Sequence, residues 1–244
     1  MKYSIKNLTI TLVMLTLSPS CTKEIDFNLL KGNLKGVVYS NGGYSDIPVQ
    51  VMIEGHNFSK TTTSDNFGKY SFTGVNTGTY NLKFTKEGFG THYLYGFPFI
   101  GGDSVTETVP SVELAHLPDA SVSELTLNMT INTLHNEYFT LVQKQINWSA
   151  VIKGSAPYLM AYLSSDANVS YNNYKQYYFA EQGFNIINLS DFDTLQYEKN
   201  STIYVILYPY EMLGSSYIDM NTGCRIYSGI QSKGASNVAS VIVK

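Results

Sequence analysis

Residues 69–84, KYSFTGVNTGTYNLKF, alternate apolar and polar side chains on either side of the turn VNTG. Tyr70 and Phe72 fall on one face, Ser71 and Thr73 on the other; Tyr80, Leu82 and Phe84 repeat the pattern opposite Asn81 and Lys83. A period of two belongs to a pleated strand, not to a helix. Just upstream, Asp65 and Asn66 suit a turn because their side chains bond the local backbone, and Gly68 suits a position of positive φ. The segment IPVQVMIEG alternates in the same way, with Val49, Val51 and Ile53 on one face and Pro48 opening the strand. Strands with a single apolar face must bury it against a second sheet, so this region predicts a β-sandwich.

The order of these residues carries a resemblance. Gly36, Pro48, Val51, Thr63, Asp65, Gly68, Tyr70, Phe72, Gly78, Tyr80, Leu82 and Gly88 stand in register with the carboxypeptidase regulatory-like domain over about residues 32–117. That resemblance implies a sandwich of transthyretin-like topology. The stretch KEGFGTHYLYGFPFIGGDS also resembles part of such domains in secreted two-domain lipoproteins of the Bacteroidetes, which carry no assigned activity.

The second half is again strand-like. LTLNMTI, LVQKQINWSAVIK, PYLMAYLSS, QYYFA, FNIINL, STIYVILYPY and NVASVIVK are separated by turn-rich segments. Seven such strands suggest a second sandwich. Thr202, Tyr204, Ile206 and Tyr208 resemble a late strand of a fibronectin type III-like domain. The expected fold is all-β: an export signal over residues 1–20, a tether over 21–31, one sandwich over 32–118 and another over 119–244.

The amino terminus reads as an export signal. Lys2 and Lys6 precede the apolar run LTITLVMLTL, which is too short to span a bilayer and suits a signal peptide. The following LSPSC resembles a bacterial lipobox, which implies lipid on Cys21; an ordinary secretory signal with an incidental cysteine is the alternative. Cys224 is the other cysteine in the chain, so lipid on Cys21 leaves it single. The implied location is the bacterial outer membrane, on its periplasmic or outer side.

Chemistry is sparse. His56, His92, His116 and His135 lack the spacing of a zinc site, and no cofactor or metal is expected. No nucleophile elbow occurs. Asp191 and Asp193 could share a strand face as paired carboxylates, or be solvated turn residues. Cys224 beside Arg225 could be an activated thiol, or a small strand residue. A net charge of −3 argues against nucleic acid as a partner. Asp103-Ser104-Val105 and Asp193-Thr194-Leu195 resemble the O-glycosylation motif of exported Bacteroidetes proteins, which implies modification at Ser104 and Thr194.

Aromatic clusters remain. Charged residues make up only 14% of the chain, whereas there are twenty tyrosines. Tyr93, Tyr95, Phe97 and Phe99 would share one face of an extended strand. Tyr171, Tyr174, Tyr177 and Tyr178 lie in a polar, Asn-rich segment, where exposed rings beside amides suit a sugar; the alternative for both clusters is that the rings cover a sandwich edge or pack between the domains. These patterns predict no enzyme. They predict a binding or accessory module for a glycan or an envelope protein, or an assembly component that uses its sheet edges.

Overall fold

The structure, a computed structural model, describes residues 30–40, 48–102, 105–135, 137, 140–156, 158–181, 185–189 and 198–244. The export signal, Cys21, most of the tether, Ser104, Asp191, Asp193 and Thr194 lie outside the described residues.

The chain is all-β. In its first half, β1 (Lys31–Ser40) pairs antiparallel with β4 (Lys69–Asn76) and parallel with β7 (Thr106–Thr108) and β8 (Val112–Leu114). A second sheet runs β3 (Phe58–Thr63), β2 (Gln50–Gly55), β5 (Gly78–Thr85), β6 (His92–Phe99), antiparallel throughout. The two sheets close on one core. Val49, Val51, Ile53, Phe72, Leu82 and Phe84 are buried there, with Tyr70 and Tyr80 almost so. Each such side chain contributes about 1.5–3 kcal/mol of transfer free energy. Gly68 adopts φ 71 in the turn before β4, as the turn chemistry requires. Asp65 fixes that turn by accepting from the N–H groups of Phe67 and Lys69.

In the second half, β9 (Ala120–His135) and β10 (Thr140–Gly154) form one long hairpin, extended by β13 (Ile186–Asn188). Facing it is the sheet β12 (Gln176–Glu181), β11 (Tyr158–Ser164), β14 (Thr202–Tyr210), β17 (Ala239–Ile242). Leu159, Ala161, Leu163, Val205 and Leu207 pack inward against Met129, Ile146 and Trp148.

Two expectations are corrected. The segment from Gly214 to Cys224, read as turn-rich, belongs to a further hairpin of β15 (Ser216–Ile218) and β16 (Arg225–Tyr227). Its strands are three residues long, too short to show a period. Cys224 lies before β16, off the strands. The other correction concerns Tyr93, Tyr95, Phe97 and Phe99, which do not share a face. A register shift opposite Tyr80–Leu82 inserts a residue into β6 near Gly96. Such a bulge reverses the parity of all that follows. Phe97 and Phe99 therefore pack on the core, while Tyr93 and Tyr95 stack side by side.

The sheet containing β11 and β14 is buried on both faces. Met160, Tyr162, Ile206, Tyr208 and Tyr210 point away from the sandwich core into a separate apolar layer. Tyr171, Tyr174 and Tyr177 pack against that layer from outside, with Tyr227 of β16. Tyr162 is wholly buried, and its hydroxyl has no hydrogen-bond partner among the described residues. A buried hydroxyl left unpaired costs free energy that a phenyl ring does not. Tyr162→Phe is therefore expected to raise stability by about 1 kcal/mol, read as a higher urea midpoint at unchanged slope. A lower midpoint would refute the reading that this hydroxyl is buried without a partner.

Candidate functional site

The β15–β16 hairpin is a wedge between the two halves. Tyr217 sits opposite Ile226 on one face, and Ser216 sits opposite Tyr227. Tyr227 packs on Tyr177, Phe179 and Tyr210 of the second half. Tyr217 packs on His92, Tyr93 and Tyr95 of the first, with ring centroids 5.2, 5.5 and 6.1 Å away.

Backbone contacts hold the wedge in place. Ser215 N–H donates to the Glu113 carbonyl at 2.7 Å, and Glu113 N–H donates to Ser215 Oγ at 2.9 Å. Ser228 Oγ donates to the Ser215 carbonyl at 2.8 Å. Gly90 lies so close to the Ser228 carbonyl that no Cβ could be placed between them. Tyr174 grips the base of β16 twice: its hydroxyl donates to the Arg225 carbonyl at 3.0 Å and accepts from the Arg225 N–H at 3.1 Å.

A groove of about 460 Å³ opens along this seam, lined by Tyr93, Tyr95, Gly96, Tyr217, Ile218 and Met220 among others. Tyr93 and Tyr95 are parallel, 2° apart in plane and 5.3 Å apart at their centroids. Both are half-buried, and the rim residue Met220 is 68% exposed. Alternation on β6 places the two rings on the outer face together, and β15 brings Tyr217 against them.

One carboxylate stands beside the groove, bonded to its lining residue Tyr95. Asp219 Oδ1 accepts from Asn221 N, Thr222 N and Thr222 Oγ1 at 3.1, 3.0 and 3.1 Å, which fixes the hairpin turn. Its Oδ2 receives the Tyr95 hydroxyl at 3.4 Å. The Thr222 N–H, foremost among these donors, holds the Asp219 carboxyl below its usual range. Burial, with Asp219 and Tyr93 nearby, pushes the Tyr95 phenol upward. Burial does the same for Tyr217. The site at neutral pH thus holds neutral phenols and one anion.

The four tyrosines singled out from sequence divide. Tyr171, Tyr174 and Tyr177 share the layer behind β16, and Tyr171 also lines a smaller cleft of about 230 Å³ with Phe89, Leu117 and Tyr217. Tyr178 is on the opposite face of β12 and packs against the sandwich core. Adjacent strand residues point to opposite faces, so Tyr177 and Tyr178 are not brought together. Tyr217 and Asp219 were missed. Tyr217 stands alone among turn-forming residues, and its partners lie more than a hundred residues away in the chain.

The histidines are dispersed. His56 and His135 are exposed, His116 bridges to Phe89, and His92 is buried at the seam. Among the described residues, no three His, Cys, Asp or Glu side chains converge as metal ligands.

No protein family and no curated protein matches the sequence. Solved structures give low likenesses. A candidate carbohydrate-binding protein of Bacteroides uniformis is 12% identical over 87% of this chain and 99% of its own, with a TM-score of 0.27. A DUF3823 family protein of Parabacteroides merdae is 13% identical over 88% and 99%, with a TM-score of 0.25. The major pilin subunit of Bacillus cereus is 12% identical over 88% and 70%, with a TM-score of 0.29. At these scores no property transfers from one protein to another.

Proposed function

We propose that this protein is a non-catalytic binding or accessory protein of the bacterial cell envelope, and that it takes a glycan in the groove between β6 and β15. The observation that carries this reading is the parallel Tyr93–Tyr95 pair, backed by Tyr217 and set beside the Asp219 carboxylate. A sugar needs a flat apolar surface for its C–H face and directional polar groups for its hydroxyls. The groove has both, and its volume lies within the range of small-ligand sites, about 300–1,000 Å³.

A glycan array probed with the secreted form tests this. Tyr95→Ala should lower the affinity of any array hit by about thirtyfold, since a central aromatic contact contributes about 2 kcal/mol. Tyr178→Phe should leave it unchanged, because that ring faces the sandwich core. Equal affinities in Tyr95→Ala and the unaltered protein would remove the groove from consideration.

The envelope location rests on the residues around Cys21. A diacyl cysteine would hold the chain at the membrane far more firmly than one acyl chain does, at about 0.8 kcal/mol per buried methylene. Metabolic labelling with a radioactive fatty acid should mark the protein, and Cys21→Ala should abolish the label. A labelled Cys21→Ala protein refutes the anchor.

Assembly through a sheet edge is the runner-up. Its observation is β3, the end strand of its sheet, exposed at Ser59, Lys60, Thr61 and Thr63. Lys60 on that edge is the kind of residue that discourages strand addition. Concentration-dependent oligomers lost on Thr61→Pro would favour assembly over glycan binding.

A further inference from the structure

We infer that the groove takes one pyranose ring against the outer face of Tyr95, and that Asp219 makes it select neutral or amino-bearing sugars over uronic acids. This inference rests on the glycan-binding reading above.

The aromatic side of the groove is a column with one end closed. The Lys83 ammonium lies 5.6 Å from the centre of the Tyr93 ring, and Tyr93 stacks on Tyr95. Each partner in the column so far belongs to the protein. Beyond Tyr95 comes Gly96, where an added Cβ would meet no atom within 4 Å apart from its two chain neighbours. That open space is part of the groove. The next flat group in the column is therefore free to be a ligand. A pyranose fits because its C–H bonds carry slight positive charge, and the π face of a phenol is negative.

Polar selection comes from Asp219. Its Oδ1 is engaged by three donors of the hairpin turn, while Oδ2 holds a single long bond from Tyr95. An ionised carboxylate only accepts hydrogen bonds, and each oxygen can accept more than one. Oδ2 thus has capacity for a ligand hydroxyl or ammonium. A ligand carboxylate in the same place meets a like charge at short range. Of the charged groups near the groove, Asp219 is the one bonded to Tyr95 itself, whereas Lys83 is engaged over Tyr93 and Arg225 Nη1 donates to Ser216 Oγ at 3.1 Å. The charge pattern admits donors and turns away anions.

Titration calorimetry on the secreted protein tests the inference with three sets of hexamers. The neutral set is cellohexaose, mannohexaose and chitohexaose; the amino-bearing probe is hexameric glucosamine; the anionic set is hexamannuronate and hexagalacturonate. At least one neutral or amino-bearing hexamer should bind about tenfold or more tighter than both uronates, which is what one charge-assisted hydrogen bond supplies. Asp219→Asn keeps the turn, because an amide oxygen can take the same backbone donors, and should bring the uronates to within about threefold. Gly96→Asn tolerates φ 67 and fills the open space. It should cost about tenfold or more for every sugar, with only a small fall in the melting temperature.

Uronates binding as tightly as the neutral sugars would overturn the selectivity while leaving a sugar site. Full affinity in Gly96→Asn would overturn the stacking position. If no hexamer binds the unaltered protein, the glycan reading itself fails and the inference with it. Binding that survives Tyr95→Ala places the sugar elsewhere and overturns the inference.

Discussion

Gly90→Ala should destabilise the protein by about 3 kcal/mol or more, in the upper range for overpacking a well-packed contact. The cause is local and steric. Gly90 N–H donates to the Ala115 carbonyl at 3.0 Å, which pins its backbone to the end of the first sandwich. On its other side stand the carbonyl and Cα of Ser228, just after β16. Both neighbours are backbone, so no side chain can swing aside. Ser228 is itself held by its hydroxyl on the Ser215 carbonyl. One added methyl must therefore push the wedge hairpin away from the first half. Urea unfolding should show the loss as a lower midpoint. Because the same seam seats β15 against β6, glycan affinity at the groove should fall as well. A loss below about 0.5 kcal/mol, the size of an ordinary surface substitution, would mean that the hairpin shifts at little cost and does not couple the halves.

How far the sequence reveals this fold depends on how many faces each strand buries. Strands β2, β4 and β5 bury one face, so alternation identifies Val49, Val51, Ile53, Tyr70, Phe72, Tyr80, Leu82 and Phe84 as core, and all are buried. Strands β11 and β14 bury both faces, and their residues read as continuous apolar runs. Such runs mark a strand without showing that anything covers its second side. The sequence therefore left open whether the tyrosines near 171–178 form an exposed platform or pack on other elements; three of them lie against a buried layer.

The groove was hidden for other reasons. The bulge at Gly96 changes the parity of β6, and nothing in HYLYGFPF says where a residue will be inserted. Tyr217 and Asp219 come from a hairpin with strands too short for a pattern, and Asp219 meets Tyr95 across 124 positions of chain. Aromatic abundance suggested the chemistry of the sugar site proposed above. Its location needed the contact between two halves, which only long-range packing creates.

That contact also carries a pH signature. His92 is 5% exposed, enclosed by Phe84 and Tyr217, and hydrogen-bonded to the backbone of Ser215. Its Nδ1 has no partner among the described residues. Burial, the dominant cause, lowers its pKa from 6.5 to about 4, and the Ser215 contact only partly opposes it. The neutral imidazole is thus favoured in the folded state. Above pH 6.5 both folded and unfolded chains hold it neutral, and its contribution to stability is fully present. Between pH 6.5 and about 4 the unfolded chain binds the proton first, so stability falls as the solution is acidified. Below about 4 the folded chain is protonated too, and this group adds no further slope. The total loss is about 3 kcal/mol, since each tenfold difference in proton affinity between the folded and unfolded chains is worth about 1.36 kcal/mol. Asp166 and Asp219, whose carboxyls backbone N–H donors at Asn168 and Thr222 hold below the ordinary value of 3.8, lose stability in the same direction but at lower pH, below this interval. His92→Phe keeps a ring between Phe84 and Tyr217 and removes the titrating group. Urea midpoints taken across this range should slope for the unaltered protein and be nearly flat for His92→Phe. Equal slopes in the two proteins would assign the acid loss to other groups. Protonation at His92 also loosens the ring beneath Tyr217, so groove affinity for sugar should decline over the same interval in the unaltered protein alone.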